Sequence, residues 1–167
     1  MAAQLWLLRH GEAEPHPARP DADRRLTERG EEQSRAAGRA LAALGLKFQF
    51  VFTSPKVRAL DTARLACESF DLEPIVHPAL GEEFDANEAL ALAAAAGDDQ
   101  RTLLVGHNPD FVTVLHDLTG ANVELKKGGV GGVRLRGGRR GELIVLMRPR
   151  DLSRIGTQAP AGSRSGD

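Results

Sequence analysis

Two histidines and two arginines in this chain stand where chemistry could be done. Arg9-His10-Gly11 follows the apolar residues Leu5, Trp6, Leu7 and Leu8, and Gly106-His107-Asn108-Pro109 follows the apolar run Leu103 to Val105. Arg58 lies shortly after Ser54-Pro55. A histidine beside an arginine is a nucleophile or base next to an anion clamp, and a following glycine lets the backbone bend and approach a ligand closely. Taken singly, each has a bland reading: Arg9 a surface charge, His10 a strand-end residue, Arg58 a solvated charge on a helix. The recurrence of the pattern is what gives the residues weight.

The elements that must position them follow from periodicity. Leu5 to Leu8, Phe48 to Phe52 and Arg101 to Val105 read as strands buried on both faces, and Glu73 to His77 as a short strand at the sheet edge. Thr27 is a candidate N-cap for a helix ending near Gly45, with Ala36, Ala37, Ala40, Leu41 and Leu44 toward the sheet. Ser54 as N-cap with Pro55 at the first helical position predicts a second helix, whose buried stripe is Leu60, Ala63, Cys67 and Phe70. Cys67 on that stripe reads as a core thiol. An alanine-rich helix spans Asn87 to Ala96. Asn108 and Pro109 open another, which Gly120 stops.

Val130 to Leu135 and Leu143 to Met147 read as two final strands around Gly137-Gly138. Lys126, Lys127, Arg134, Arg136, Arg139 and Arg140 make this a basic hairpin, solvated or open to an acidic partner surface. Glu12 to Pro20, with three prolines, is a loop long enough to cover a site; His16 in it reads as solvated. His77 and His116 read as structural, and Glu82 and Glu83 as acids favoured near a helix start.

Strands joined through helices run parallel, so their carboxyl ends share one edge of the sheet. In open α/β sheets ligands bind at that edge. Arg9, His10, Arg58 and His107 can therefore converge although they are far apart in sequence. The helix N-termini at Ser54-Pro55 and Asn108-Pro109 open on the same edge and suit phosphate. The expected fold is a three-layer α/β/α domain with a mostly parallel central sheet over residues 1–150, followed by a disordered tail over 151–167, rich in Ser, Gly, Pro and Arg.

Composition bounds the rest. A chain of 167 residues is long enough to bury about 70% of its unfolded surface in one domain. A net charge of −1 argues against a nucleic-acid binder, and the single cysteine excludes an intramolecular disulfide and a cysteine-based zinc cage. The apolar run at Leu5 is too short for a signal peptide or a membrane span, so a cytoplasmic protein with no membrane partner is expected.

Arg9-His10-Gly11, Ser54-Pro55 with Arg58-Ala59 and Thr62, and Gly106-His107 together resemble the histidine phosphatase superfamily, in its phosphoglycerate mutase-like branch. The short length, Leu26-Thr27 with Gly30, and Leu125-Lys126-Lys127 are more similar to the SixA phosphohistidine phosphatases. The resemblance implies covalent catalysis. His10 matches the nucleophile, and Arg9, Arg58 and His107 match the pocket for the phosphoryl oxygens, with Gly11 and Asn108 also in the substrate-binding set. His107 is expected to be protonated, helped by a bound dianion, and no metal or cofactor is implied.

Many relatives carry an acid that protonates an alkoxide leaving group. Glu82 and Glu83 lie in the right part of the chain for it, in a stretch with no secure match to the motif. SixA-like members also lack an obvious acid, and a histidine leaving group protonated on its ring departs more readily than an alkoxide. The implied substrate is phosphohistidine on a phosphorelay-type protein. A small phosphate ester is the alternative, and an inactive phosphoprotein-binding module a third reading.

Overall fold

β1 (Gln4–Arg9) serves two cores at once, because side chains alternate across a strand. Leu5 and Leu7 pack on one face of the sheet, Trp6 and Leu8 on the other. The computed structural model describes residues 2–138 and 140–157. β2 (Phe50–Thr53) and β4 (Arg101–Gly106) divide in the same way, Phe52 and Leu104 against Val51, Leu103 and Val105.

Helices α3 (Ala86–Ala96) and α4 (Asp110–Thr119) cover the first face through Ala89, Ala93, Phe111, Val114 and Leu115. Helices α1 (Glu28–Ala43), α2 (Val57–Cys67) and α5 (Pro149–Thr157) cover the second through Ala37, Leu41, Ala59, Ala63 and Leu152. The three-layer α/β/α architecture is therefore as predicted.

With β3 (Ile75–Val76), β5 (Val130–Gly137) and β6 (Arg140–Met147), the sheet runs in the order β3-β2-β4-β1-β5-β6. β3, β2, β4 and β1 are parallel; β5 is antiparallel to β1, and β6 to β5. β1 and β4 are neighbours in a register that sets Arg9 beside Gly106, and Thr53 pairs with Val105. His10, His107 and Ser54 thus leave the sheet from three adjacent strands at one edge.

Local expectations held where capping chemistry is explicit. Thr27 Oγ1 accepts from the Gly30 N–H at 3.0 Å, and Gly45 and Gly120 take positive φ after α1 and α4. Two helix starts differ. α2 begins at Val57, because Ser54 Oγ accepts from the Lys56 N–H at 3.1 Å and closes a turn ahead of the helix. α4 begins at Asp110, and the Asn108 side chain donates to the Leu125 carbonyl at 3.0 Å instead of capping. The buried stripe of α2 is Ala59, Ala63, Ala66 and Cys67, with Leu60 and Phe70 only partly covered. Burial pushes the Cys67 thiol up to about 11, as a core thiol requires.

The expected tail is corrected over its first part. Residues 149–157 form α5, which docks on α1 with Leu152 fully buried and Gly156 against the α1 backbone. The Arg148 N–H donates to Asp151 Oδ2 at 3.0 Å, a carboxylate inside the first turn reaching back to the residue before the helix. Residues 158–167 lie outside the described residues. The basic hairpin is partly neutralised: Arg134 and Arg136 both pair with Glu142 at 2.7 Å. Arg139 lies outside the described residues. Among the described residues, no helix is long and apolar enough to cross a membrane.

Candidate functional site

His10 and His107 meet at the carboxyl edge of the sheet with ring centroids 5.1 Å apart. They line a cleft of about 450 Å³ together with Arg9, Lys56, Arg58 and Lys127. Arg58, in the first turn of α2, is buried at the cleft, which excludes its bland reading as a solvated helix charge. All four residues predicted to converge do so. Asn108, Glu82 and Glu83 also line the cleft, the two glutamates as exposed residues at its rim.

Hydrogen bonding distinguishes the two imidazoles. His10 Nδ1 lies 2.8 Å from the Gly11 carbonyl oxygen. A carbonyl only accepts, so Nδ1 carries the proton and Nε2 of the neutral ring is left with its lone pair. Burial pushes His10 down to about 3, and Arg58, Arg9 and Lys127 push the same way, against the Gly11 carbonyl. His107 Nε2 lies 2.8 Å from Ser54 Oγ, a group that both donates and accepts. Burial, His10, Arg58 and Lys56 push His107 down to about 3 as well. The expectation of a protonated His107 concerns the dianion-bound site; in the free protein, burial, His10 and two cations facing the ring favour its neutral form.

The cations are crowded. Burial lowers the Arg9 and Arg58 guanidinium groups from their usual range, and their repulsion adds to the effect at Arg9. Both remain charged. Arg9 donates to the Leu125 carbonyl at 3.0 Å, while Arg9 Nε, Arg58 Nε and His107 Nδ1 are buried without a hydrogen-bond partner. Unpartnered buried donors on two guanidinium groups around one cleft are an anion-binding arrangement.

Gly11 does not belong to the cleft. Its N–H donates to Thr62 Oγ1 at 3.1 Å, and a Cβ there would stand 2.5 Å from the Gly30 carbonyl oxygen. The glycine is required by close packing on α1, not by approach to a ligand. Thr62 in turn donates to the Arg58 carbonyl at 2.7 Å, so the His10 loop and the Arg58 turn are tied together.

Sequence reasoning missed Asp21, Arg24, Lys56 and Lys127 in the cleft, and Ser54 as the partner of His107. Lys56 and Ser54 sit inside a motif already singled out. Asp21 and Arg24 lie beyond the proline-rich loop, in or next to a one-turn 3-10 helix, Asp21–Asp23. The loop is closed at its base by a bridge between Ala13 and Leu26, and its His16 reaches the cleft while staying largely exposed. His77 hydrogen-bonds Glu88 at 3.2 Å outside the cleft, and His116 is exposed on α4.

Residues 5–111 match the model of the histidine phosphatase superfamily, branch 1. The chain belongs to that superfamily, and it is a hydrolase of the phosphatase class. It is 32% identical over 162 residues to an uncharacterised protein of Picosynechococcus, covering 89% of this chain and 98% of that one. A 2,3-bisphosphoglycerate-dependent phosphoglycerate mutase of Sinorhizobium fredii is 39% identical over 92 residues, which is 49% of this chain but only 42% of the mutase. Among solved structures, the protein histidine phosphatase SixA complexed with tungstate shares the fold with TM-score 0.80 at 24% identity, covering 89% of this chain and 99% of that one. A phosphoserine phosphatase from Entamoeba histolytica shares it with TM-score 0.74 at 18% identity, covering 90% and 99%.

Proposed function

We propose that this phosphatase removes the phosphoryl group from phosphohistidine on a protein, through a covalent intermediate on His10. The observation that carries the reading is the His10 tautomer. Its Nδ1–H is engaged by the Gly11 carbonyl, which leaves Nε2 unprotonated in a cleft of cations. A neutral ring with one nitrogen held by a backbone acceptor is what a histidine nucleophile needs.

In the first step Nε2 of His10 bonds to phosphorus as the phosphorus–nitrogen bond of the substrate breaks, and the departing imidazole carries its own ring proton. In the second step a water oxygen bonds to phosphorus, the bond to His10 breaks, and orthophosphate leaves. Arg9, Arg58 and His107 bear on the three equatorial oxygens, where charge neutralisation and in-line positioning supply most of the catalysis. A dianion between the rings favours protonation of His107, which is neutral without one. These cations supply the charge a metal would otherwise bring.

A protein substrate is supported by the surroundings. Across Arg9, Asn108 and Lys127, which line both, the cleft adjoins a second groove of about 1130 Å³, between α1, the start of α5 and the Val123 to Lys127 loop. That is room for a polypeptide surface rather than for a phosphate alone. A small phosphate ester is the second reading, favoured by Glu82 and Glu83 on the rim, where either could protonate an alkoxide.

The test compares kcat/KM for a phosphohistidine peptide with a panel of phosphate esters, using His10→Ala as control. Preference for phosphohistidine by about 100-fold or more is expected. Equal or better turnover of an ester transfers the assignment to the second reading and makes Glu82 and Glu83 the next substitutions. No turnover of either leaves an anion-binding module.

A further inference from the structure

Asp21 supplies an anion to the cleft from within the chain. Arg58 donates twice to this residue, from Nη1 to its main-chain carbonyl at 2.7 Å and from Nη2 to Oδ2 at 3.3 Å. Lys56 Nζ donates to the same carboxylate oxygen at 3.1 Å, and Arg24 Nε and Nη2 reach Oδ1 at 3.2 and 3.1 Å. One carboxylate thus gathers three cations that line the cleft.

We propose that Asp21 is a tethered counter-anion that an incoming phosphoryl group must displace from Arg58 and Lys56, and that it thereby sets the affinity and selectivity of the site. The proposal rests on the reading of this cleft as the phosphoryl site. An alternative is that Asp21 is a strut that only orients Arg58. The geometry favours displacement, because the main-chain carbonyl already holds Nη1 and does so whatever the side chain. The carboxylate adds charge, not placement: its Oδ2 engages Arg58 and Lys56 together, as one oxygen of a phosphoryl group would.

Selectivity follows from the competition. Free orthophosphate offers only its own oxygens, so the exchange with the carboxylate returns little. A phosphorylated ligand with contacts elsewhere uses that remote binding to drive the exchange. The tethered anion therefore weakens product and substrate by the same factor, and the substrate's remote contacts keep it bound where orthophosphate is released.

The experiment measures the dissociation constant of orthophosphate by calorimetry for the full chain, for Asp21→Asn and Asp21→Ser, which keep the main-chain carbonyl, and for Asp21→Glu, which keeps the charge. Melting temperature checks that each variant is folded, and either neutral variant suffices. The neutral variants are expected to bind phosphate about tenfold more tightly, about 1.4 kcal/mol, and Asp21→Glu to stay within about threefold of the parent chain. In turnover, KM and the product-inhibition constant fall together in the neutral variants.

Unchanged or weaker phosphate binding in both neutral variants overturns the proposal, and so does equal tightening in Asp21→Glu. If that happens while the parent chain binds phosphate and forms a phosphoryl adduct on His10, only the role of Asp21 is lost. If neither the parent chain nor the neutral variants bind phosphate, the phosphoryl site is lost with it.

Discussion

His10 and His107 begin from nearly the same sequence and end in different chemistry. Each follows an apolar strand at the same sheet edge, each is more than nine-tenths buried, and each is held neutral by burial and neighbouring cations. They differ in the atom each ring faces. His10 Nδ1 meets a carbonyl, which can only accept and so locks one tautomer; His107 Nε2 meets a hydroxyl, which accommodates either protonation state. A fixed tautomer suits a nucleophile, and an adjustable one suits a ligand that gains a proton when an anion arrives. Burial alone does not assign such roles; the second partner of each ring does.

The sharpest way to break the comparison is to exchange the losses. His10→Ala is expected to lower kcat by about 10⁴-fold or more and to abolish the acid-labile, alkali-stable phosphoryl label. His107→Gln, measured on the same substrate, is expected to cost about 10²- to 10³-fold while the label on His10 still forms. Equal losses with no label in either variant would mean that the two rings act as one unit.

A second comparison uses acid. Both imidazoles stay neutral in the folded protein down to about pH 3, whereas in the unfolded chain a histidine gains its proton near pH 6.5. The unfolded state therefore binds more protons between those limits, and unfolding free energy falls as pH drops through that window. Each ring contributes a slope of up to about 1.4 kcal/mol per pH unit. Denaturant unfolding of His10→Ala and His107→Gln from pH 7 to pH 4 is expected to give a shallower fall in both. A slope unchanged from the parent chain in one variant would show that its ring is protonated when folded.

The smallest effect isolates the hydroxyl. Ser54→Ala removes the partner of His107 and leaves that of His10 untouched. It is expected to cost about 1 kcal/mol of stability and to lower turnover by less than about tenfold, with His10 labelling intact. A loss as large as that of His107→Gln would make the hydroxyl, not the imidazole, the decisive group.

What was legible in the sequence shared one property: it was periodic or locally capped. Leu5 to Leu8 announced a strand because a doubly buried strand leaves no polar position, and Thr27 announced a helix start because its hydroxyl satisfies the Gly30 N–H. α5 went unread because only Leu152 and Ile155 are apolar in it. Pro149 at the first helical position and Asp151 two residues later were the available signals. Arg58 was legible as a motif member but not as a buried residue, since an arginine reads as exposed until something is seen to cover it.

The chain by itself determined the strands, the first four helices, the parallel connections and hence the edge at which Arg9, His10, Arg58 and His107 gather. Those follow from hydrophobic periodicity and crossover geometry, which depend on neighbours in sequence. Only the tertiary structure decided that Gly11 packs on Gly30 and not on a ligand, that Ser54 attends His107, and that Asp21 lies across Arg58 and Lys56. Each is a contact between residues at least 19 positions apart, formed by how layers pack and loops fold over the sheet edge, and no local pattern encodes which distant atom a side chain will face.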